Sequence, residues 1–358
     1  MAKSVGIGII GAGVISTIYL KNLTALWNHV HVVGIADLFP ERAAERAAEF
    51  GVQALTIDEL LAHPEIEIVV NLTIPAAHAA VSLQVIAAGK HVHTEKPLAT
   101  SLADGKAVLE AAARAGVLVG NAPDTFLGAG LQTVRRAIDD GLIGTPIAFN
   151  ARMVTHGMED WHPDPYFFYQ PGGGPMLDMG PYYVTSLVSI LGPVRSLSSR
   201  TSIGFAQRVI TTENSAKKGD AIPVNTPTHI ETVLELESGV TGTLTTSFDL
   251  WDETHSWYVI YGTEGTIRLP DPNYFGGPVK LYDAQRQWRE LDLVSDITED
   301  SRGIGVADMA RALRMGGDHR ASGALGFHVL EVLLGAISSG ESKQTVEIES
   351  TVERPAVL

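Results

Sequence analysis

Residues 91–101, HVHTEKPLATS, place a lysine where a lysine can carry protons. The segment begins as an alternating, strand-like run and ends at Ser101, which together with Asp104 is typical of a capped helix start. Lys96 therefore lies on the turn that follows a predicted strand. Pro97 biases Lys96 towards an extended conformation and permits a cis bond between the two residues. A lysine on such a turn is either a solvated loop residue or a working acid–base group, and the rest of the sequence must decide.

A glycine-rich turn near the N-terminus has the spacing of a phosphate-binding loop. Gly11, Gly13 and Ser16 form G-x-G-x-x-S between a β-rich run over 4–10 and a helical pattern over 14–27. Gly11 permits a tight turn, and Gly13 lets the backbone approach a pyrophosphate at the helix N-terminus. Because a strand and a helix flank the glycines, and an acidic residue ends the next strand, the pattern predicts dinucleotide binding rather than an empty turn.

Asp37, at the end of the second predicted strand, decides which dinucleotide is expected. Its carboxylate is placed to accept hydrogen bonds from the adenosine ribose, whereas a 2′-phosphate there would meet a like charge. Leu38 follows it, and Arg42 lies on the next predicted helix rather than beside the carboxylate. We therefore expect NAD(H) in preference to NADP(H), with Val14, Ile15 and Leu38 also contacting the cofactor.

The elements around these residues alternate between strand and helix. Strands are predicted over 4–10, 30–37, 66–73, 90–95 and 117–122, and helices over 14–27, 40–51, 76–89 and 102–115. Strict alternation with short turns is typical of a parallel sheet covered by helices on both faces. The sequence thus predicts an α/β fold that begins with a doubly wound, Rossmann domain over residues 1–122.

After residue 122 the alternation stops, and a second α/β domain is predicted over 123–358. A helix over 127–140 precedes long runs that alternate every second residue, as in a mostly antiparallel sheet with one exposed face: 146–156, 195–204, 228–239, 240–251, 256–262 and 264–270. A glycine-led helix is predicted over 172–193, a surface loop over 211–227, and helices over 305–314 and 322–338.

Composition and charge exclude several classes of partner. The chain has 358 residues and a formal net charge of −15, which argues against nucleic acid and anionic membranes. It contains no cysteine, which rules out disulfides, a thiolate nucleophile and cysteine-ligated metal. No basic and apolar leader precedes residue 4, and no apolar run reaches the roughly 18 residues of a membrane span. We expect a cytoplasmic protein that acts on a small molecule.

The order of the motifs resembles the Gfo/Idh/MocA oxidoreductases over essentially the whole chain. The motifs are the glycine-rich turn, EKP at 95–97 and G-G-x-x-x-x-D-x-G at 172–180. The resemblance implies an N-terminal Rossmann domain and a C-terminal substrate-binding domain whose sheet forms a homodimer or homotetramer. It also implies oxidation or reduction of sugars, cyclitols or related polyols with NAD or NADP. A non-catalytic dinucleotide sensor of the same fold is the alternative, which the retained Glu95, Lys96 and Asp178 disfavour.

The resemblance also assigns cofactor contacts residue by residue. Glu95 and Lys96 of EKP are expected beside the nicotinamide. Three residues of the TIPAAH turn match the family's cofactor-contacting turn after the third predicted strand, namely Thr73, Pro75 and His78. Trp161 matches a tryptophan that lies near the nicotinamide in many members.

Catalytic and substrate residues follow from the same motifs, with departures. Lys96 matches the family's catalytic lysine, and Asp178 matches the aspartate of the second motif. Tyr182 stands where the family usually has an acid–base histidine, and His162 stands where an arginine usually follows Trp161. A free tyrosine has a pKa near ~10, which is high for a base at neutral pH. Tyr182 therefore either replaces the histidine in proton transfer or only closes the cleft. All five residues are expected to contact substrate.

Other histidines leave further possibilities. His91 and His93 have the spacing of a metal pair on one strand face, but packed strand histidines are favoured, and we expect no metal. The stretch 156–164 contains two histidines and two aspartates that suit substrate contacts or a plain loop, with a metal site as the less favoured reading. His319 and Arg320 either reach the cleft or belong to a loop between helices.

Overall fold

The structure, a computed structural model, describes residues 3–251 and 257–358 and divides into two units. The first unit runs through Gly128 and also takes in Ile297–Leu330. The second comprises Ala129–Asp296 and Glu331–Val357. The sequence predicts a single boundary after residue 122, with residues 297–330 in the second domain. In the structure this segment belongs to the first unit instead.

The first unit is built on a parallel sheet of short, buried strands. They are β1 Val5–Ile10, β2 Val30–Ala36, β3 Gln53–Ala54, β4 Ile66–Asn71, β5 His91–Thr94 and β6 Val119–Asn121. They pair in the order β3-β2-β1-β4-β5-β6. The predicted Rossmann sheet is confirmed, with β3 as a short edge strand that the alternation did not reveal. The chain reverses its direction of travel across the sheet between β1 and β4, where doubly wound sheets bind ligands.

Helices connect these strands, and local signals set most of their ends. The helices are α1 Ser16–Ala25, α2 Pro40–Phe50, α3 Ile57–Ala62, α4 His78–Ala87 and α5 Leu102–Ala115. Pro40 opens α2, and Gly51 ends it in the left-handed conformation. Ser101 caps α5 as expected, because its hydroxyl accepts the Asp104 N–H. A capping box of Thr56 and Glu59 starts α3, a helix that is not expected from the sequence patterns above.

The second unit contains a nine-stranded mixed sheet and a small two-stranded one. The large sheet has the order β16-β15-β14-β13-β7-β12-β11-β8-β17 and the small one pairs β10 with β9. The strands are β7 Pro146–Val154, β8 Val194–Ser202, β9 Gln207–Val209, β10 Ala221–Pro223, β11 His229–Leu236, β12 Thr241–Ser247, β13 Trp257–Gly262, β14 Thr266–Leu269, β15 Val279–Tyr282, β16 Trp288–Leu291 and β17 Val346–Glu347.

The predicted antiparallel character of the large sheet is confirmed, with one exception. Only β7 and β12, among the described strands of this sheet, pair in parallel. Burial alternates along β11, as expected for a sheet with one covered face. The predicted loop over 211–227 is wrong at 221–223, since β10 pairs there with β9. The helices of this unit begin with α6 Ala129–Asp139, α7 Pro175–Asp178 and α8 Gly180–Leu191.

Helix α9, Ile304–Met315, explains why the segment 297–330 belongs to the first unit. Val306, Met309 and Ala310 are buried in one apolar cluster with β1 and α1. Burying a side chain of the size of Val306 or Met309 stabilises a fold by about 1.5–3 kcal/mol. The buried Asp124 carboxylate also accepts N–H bonds from Gly303 and Gly305 at the start of α9, at 2.9 and 3.0 Å. Burial raises the pKa of Asp124 to about 6.

The last long helix is α10, Gly323–Ser342. By length and composition it could cross a membrane, with a mean hydropathy of 1.4 over its most apolar window. However, 72% of that window is buried inside the protein, as in a core helix. From the sequence alone, no apolar stretch of this length is expected.

Candidate active site

The glycine turn after β1 is shaped to admit a ligand. Gly11 has a φ of 110°, and a Cβ there would lie 2.6 Å from the Leu72 carbonyl. Only glycine fits at this turn, where the chain leaves β1 beside the end of the neighbouring strand β4. A Cβ at Gly13 would instead meet no atom of the described residues within 4 Å. The Ser16 hydroxyl donates to the Gly13 carbonyl at 2.6 Å and fixes the start of α1. The space before α1 is therefore open, as a pyrophosphate requires.

Asp37 is tied to this turn through its carboxylate. Its Oδ2 accepts the Ala12 N–H at 2.7 Å, and its Oδ1 accepts the Phe39 N–H at 2.9 Å. Each carboxylate oxygen can accept a further bond, so both ribose hydroxyls of a bound nucleotide can still be recognised. The Arg42 guanidinium lies 4.6 Å from the centre of the Phe39 ring, in a cation–π contact.

Three apolar side chains stand exposed at the carboxyl ends of neighbouring strands. Val14 follows β1, Leu38 follows β2 and Ile74 follows β4, and they are 91%, 79% and 69% exposed. A cavity of about 620 Å³ opens beside Asp37 and Leu38. Large apolar groups left uncovered at one edge of a sheet indicate a ligand-binding surface. The residues present therefore fit a dinucleotide at this edge.

The turn after β4 contains the predicted cofactor residues Thr73, Pro75 and His78. The Thr73 hydroxyl donates to Asn71 Oδ1 at 2.7 Å, and Pro75 opens a short 3₁₀ turn. His78 is buried, with Nδ1 2.6 Å from the Pro97 carbonyl and Nε2 2.9 Å from the Thr73 carbonyl. Burial lowers the pKa of His78, so the neutral ring donates to one of these carbonyls at a time. His78 thus links the turn of Thr73 to the turn of Lys96.

The Lys96 turn is held by several hydrogen bonds. The Lys96–Pro97 bond is cis, which the sequence had permitted. The Lys96 N–H donates to Glu95 Oε2 at 2.9 Å, and the Tyr19 hydroxyl donates to Glu95 Oε1 at 2.9 Å. The Asn121 amide donates to the Glu95 carbonyl at 3.2 Å. Tyr19 is a functional candidate that could not be recognised from the sequence. It occupies an apolar position of a predicted helix, where a tyrosine is usually an ordinary core residue.

In the second unit, Trp161 and His162 belong to an aromatic cluster between β7 and α7. Trp161 is 56% exposed. The His162 ring meets the rings of Trp161 and Phe168 edge-on, with centroids 5.3 and 5.1 Å away. The Asp164 N–H donates to His162 Nδ1 at 3.1 Å. The structure therefore brings Trp161 and His162 together on a surface that suits a sugar ring.

Asp178 and Tyr182 lie on two consecutive short helices of the same unit. Asp178 ends α7, Tyr182 lies in the first turn of α8, and both are partly buried. The glycine run before α7 contacts the aromatic segment, because the Gly174 N–H donates to the Phe168 carbonyl at 2.8 Å. The single helix predicted over 172–193 is thus two helices that meet at Met179.

Beneath the aromatic cluster lies a buried ionic network, which we call the Arg208 network: Glu159, Tyr169, Arg208 and Asp249. The Arg208 guanidinium donates to Glu159 Oε1 at 2.8 Å and to Asp249 Oδ1 at 2.6 Å. The Tyr169 hydroxyl donates to the other Glu159 oxygen. The Arg208 side chain is only 4% exposed. No sequence motif marked these residues.

The other histidine candidates are packed side chains, and among the described residues neither ring nitrogen of His93 has a hydrogen-bond partner. His93 is fully buried, and burial lowers its pKa to about 3, while His91 Nδ1 accepts the Leu118 N–H at 2.9 Å. The His156 ring stacks on Trp251. Within residues 3–251 and 257–358, no three His, Asp or Glu side chains form a group that could hold a metal.

The loop between α9 and α10 also has a structural role. His319 lies 2.8 Å from the Val119 carbonyl, and Arg320 forms an ion pair with Asp308. These contacts hold the loop against other residues of the first unit. Of the two interpretations of this segment, they favour a loop between helices.

Comparison with known proteins identifies the family. Residues 5–122 match the oxidoreductase family with an NAD-binding Rossmann fold, and residues 131–268 match the GFO/IDH/MocA C-terminal domain. The chain is 26% identical to the myo-inositol 2-dehydrogenase of Thermotoga maritima, over 97% of this chain and 99% of that protein. It is 31% identical to the 1,5-anhydro-D-fructose reductase of Ensifer adhaerens over 183 residues, which span 49% of this chain and only 54% of that relative.

A solved structure shows the same fold. Levoglucosan dehydrogenase in complex with NADH superposes with a TM-score of 0.83 at 20% identity, covering 97% of this chain and 100% of that one. The family expected from the glycine turn, EKP and the second glycine motif is thereby confirmed. The chain belongs to the Gfo/Idh/MocA oxidoreductases, and its first unit contains that family's NAD-binding Rossmann domain.

Proposed function

We propose that this protein transfers a hydride between nicotinamide and a secondary alcohol or ketone of a sugar, cyclitol or related polyol. The observation that carries the proposal is the Lys96 turn, whose main chain is held by Glu95 beside the ligand-binding edge of the first sheet. The activities for which the relatives are named, inositol dehydrogenase and anhydrofructose reductase, support the substrate class. A cytoplasmic location and a homodimer or homotetramer through the large sheet are part of the same proposal.

The bound nicotinamide would supply the hydride chemistry, and the chain's own residues would handle the proton and the substrate. Lys96 polarises or protonates the reacting oxygen with its ammonium group. Asp178 orients the substrate hydroxyls, while Trp161 and His162 offer aromatic faces to the ring. The dinucleotide is held by the residues at the carboxyl edge of the first sheet: Gly11, Gly13, Val14, Ile15, Asp37, Leu38, Thr73, Pro75, His78 and Glu95.

The direct test is a turnover screen of the purified protein. NADH formation from NAD is followed across inositols, anhydrosugars and aldoses at several pH values. A polyol that gives sustained NADH production supports the enzyme. Tight NADH binding with no turnover on any substrate, in either direction, would instead identify the dinucleotide sensor.

Asp37 should make the protein prefer NAD over NADP by at least about tenfold in kcat/KM. A 2′-phosphate beside its carboxylate meets a like charge, and tenfold corresponds to only about 1.4 kcal/mol of repulsion. The nearest basic residue of this segment, Arg42, is engaged with the Phe39 ring. Asp37→Ala should reduce the preference, measured as the ratio of kcat/KM values for the two cofactors.

Glu45→Ala is the matched control, because it removes one negative charge from the exposed face of α2. It should leave the cofactor ratio unchanged. Equal use of both cofactors by the wild type, or an Asp37→Ala variant with an unaltered ratio, would refute this role of Asp37.

Tyr182→Phe should distinguish the two roles left open for this residue. We propose that Tyr182 replaces the family's histidine as a proton carrier. Loss of its hydroxyl then lowers kcat by on the order of 10²-fold and removes one limb of the pH–rate profile. Tyr182→His should retain useful activity. A modest rise in KM with an unchanged pH profile would show that Tyr182 only lines the substrate site.

A further inference from the structure

Both oxygens of the Glu95 carboxylate accept hydrogen bonds from the protein itself. One oxygen accepts the Tyr19 hydroxyl and the other accepts the Lys96 N–H, each at 2.9 Å. The Glu95 main chain is also fixed, because its N–H donates to the Asn71 carbonyl at 2.9 Å and its carbonyl accepts the Asn121 amide. A carboxylate bound in this way has one orientation, and that orientation determines where the Lys96 main chain lies.

Tyr19 is the remote end of this chain of hydrogen bonds. It lies on α1, the helix that begins at the glycine turn, and it is completely buried. Its hydroxyl therefore reaches Glu95 from the element that the pyrophosphate would contact. Burial and the neighbouring Glu95 raise the pKa of Tyr19 well above its ordinary value, so the hydroxyl stays a donor throughout the working pH range.

We propose that Tyr19 is a positioning residue for Lys96, acting through Glu95, and that it couples the dinucleotide-binding helix to the turn of the catalytic lysine. This proposal rests on the function proposed above for Lys96. Tyr19 touches neither substrate nor cofactor in this scheme. It restricts the orientation of the Glu95 carboxylate that accepts the Lys96 N–H. It thereby restricts the position of the Lys96 main chain, from which the lysine side chain extends.

Tyr19→Phe is the variant that tests the link, since it removes one oxygen atom and preserves the buried ring. The first readout is hydrogen exchange at the Lys96 amide, followed by mass spectrometry on peptides that contain residues 91–101. Once Glu95 loses one of its two donors, we expect the Lys96 amide to exchange about tenfold faster, which corresponds to about 1.4 kcal/mol of local opening. This readout does not depend on turnover.

The second readout is steady-state kinetics with the best polyol from the screen. Misplacement of Lys96 should lower kcat about tenfold, with the dissociation constant for NADH and the KM for polyol changed less than twofold. Tyr258→Phe is the matched control, because Tyr258 is another buried tyrosine but belongs to the second unit and has no bond to Glu95. It should leave both the Lys96 exchange rate and kcat at the wild-type values.

The outcomes separate this proposal from the proposed function. An unchanged Lys96 exchange rate in Tyr19→Phe overturns the positioning link. Faster exchange with wild-type kcat overturns its catalytic consequence, and weaker NADH binding with unchanged kcat would assign Tyr19 to the cofactor helix alone. If the wild type turns over no polyol, the proposed function fails, while the exchange experiment still decides whether Tyr19 holds the Lys96 turn.

Discussion

Replacement of Lys96 by methionine should lower kcat by about 10²-fold or more while NADH still binds with nearly unchanged affinity. Methionine preserves most of the side-chain length but removes the ammonium group that polarises or protonates the reacting oxygen. Loss of a positioned general acid–base group typically costs 10²–10⁴-fold in rate. The measurement combines steady-state turnover of the best polyol with a fluorescence titration of NADH.

Lys106→Met on the exposed face of α5 is the appropriate control, because it removes a lysine from the same unit away from the turn. It should turn over polyol at the wild-type rate. Near-normal kcat in Lys96→Met would exclude Lys96 as the proton carrier. A parallel loss of kcat and NADH affinity would show instead that the lysine supports cofactor binding.

The parts of this molecule that the sequence could predict depend on local patterns. Gly11, Gly13 and Asp37 occupy fixed positions relative to two strands and a helix, so a short stretch of sequence defines their geometry. Ser101 and Gly51 likewise mark helix ends through neighbours a few residues away. The elements that were missed, α3 and β3 among them, are too short to produce a clear period of apolar residues.

Long-range contacts could not be predicted in the same way. Tyr19 and Glu95 are 76 positions apart, and Arg208 is 49 and 41 positions from Glu159 and Asp249. Each of these side chains has several chemically reasonable partners, and only the packed fold selects one. The assignment of α9 to the first unit could not be predicted for the same reason. An apolar helix face can pack against many cores, and only the folded structure shows that α9 packs against β1 and α1.

The Arg208 network is built from contacts of this kind, and its loss should have the largest effect on stability. Arg208→Met leaves two buried carboxylates, those of Glu159 and Asp249, without their cation. Removing one partner of a buried ion pair typically costs about 3–5 kcal/mol, because the remaining charge stays desolvated. The free energy of unfolding, measured by urea denaturation of the whole chain, should fall by that amount.

Arg195→Met gives the comparison, since Arg195 pairs with Glu235 at 3.8 Å on the exposed part of β8. An exposed pair contributes about 0–1 kcal/mol, so this variant should unfold close to the wild-type midpoint of the urea transition.

Loss of Arg208 should also affect function, because of the residues to which the Arg208 network is bonded. Glu159 and Tyr169 lie at the two ends of the segment that carries Trp161 and His162, and Arg208 donates to the same Glu159 carboxylate that accepts the Tyr169 hydroxyl. Below its unfolding transition, Arg208→Met should therefore raise the KM for polyol more than it lowers kcat. Equal stability of the two arginine variants would mean that water or rearranged side chains replace the guanidinium.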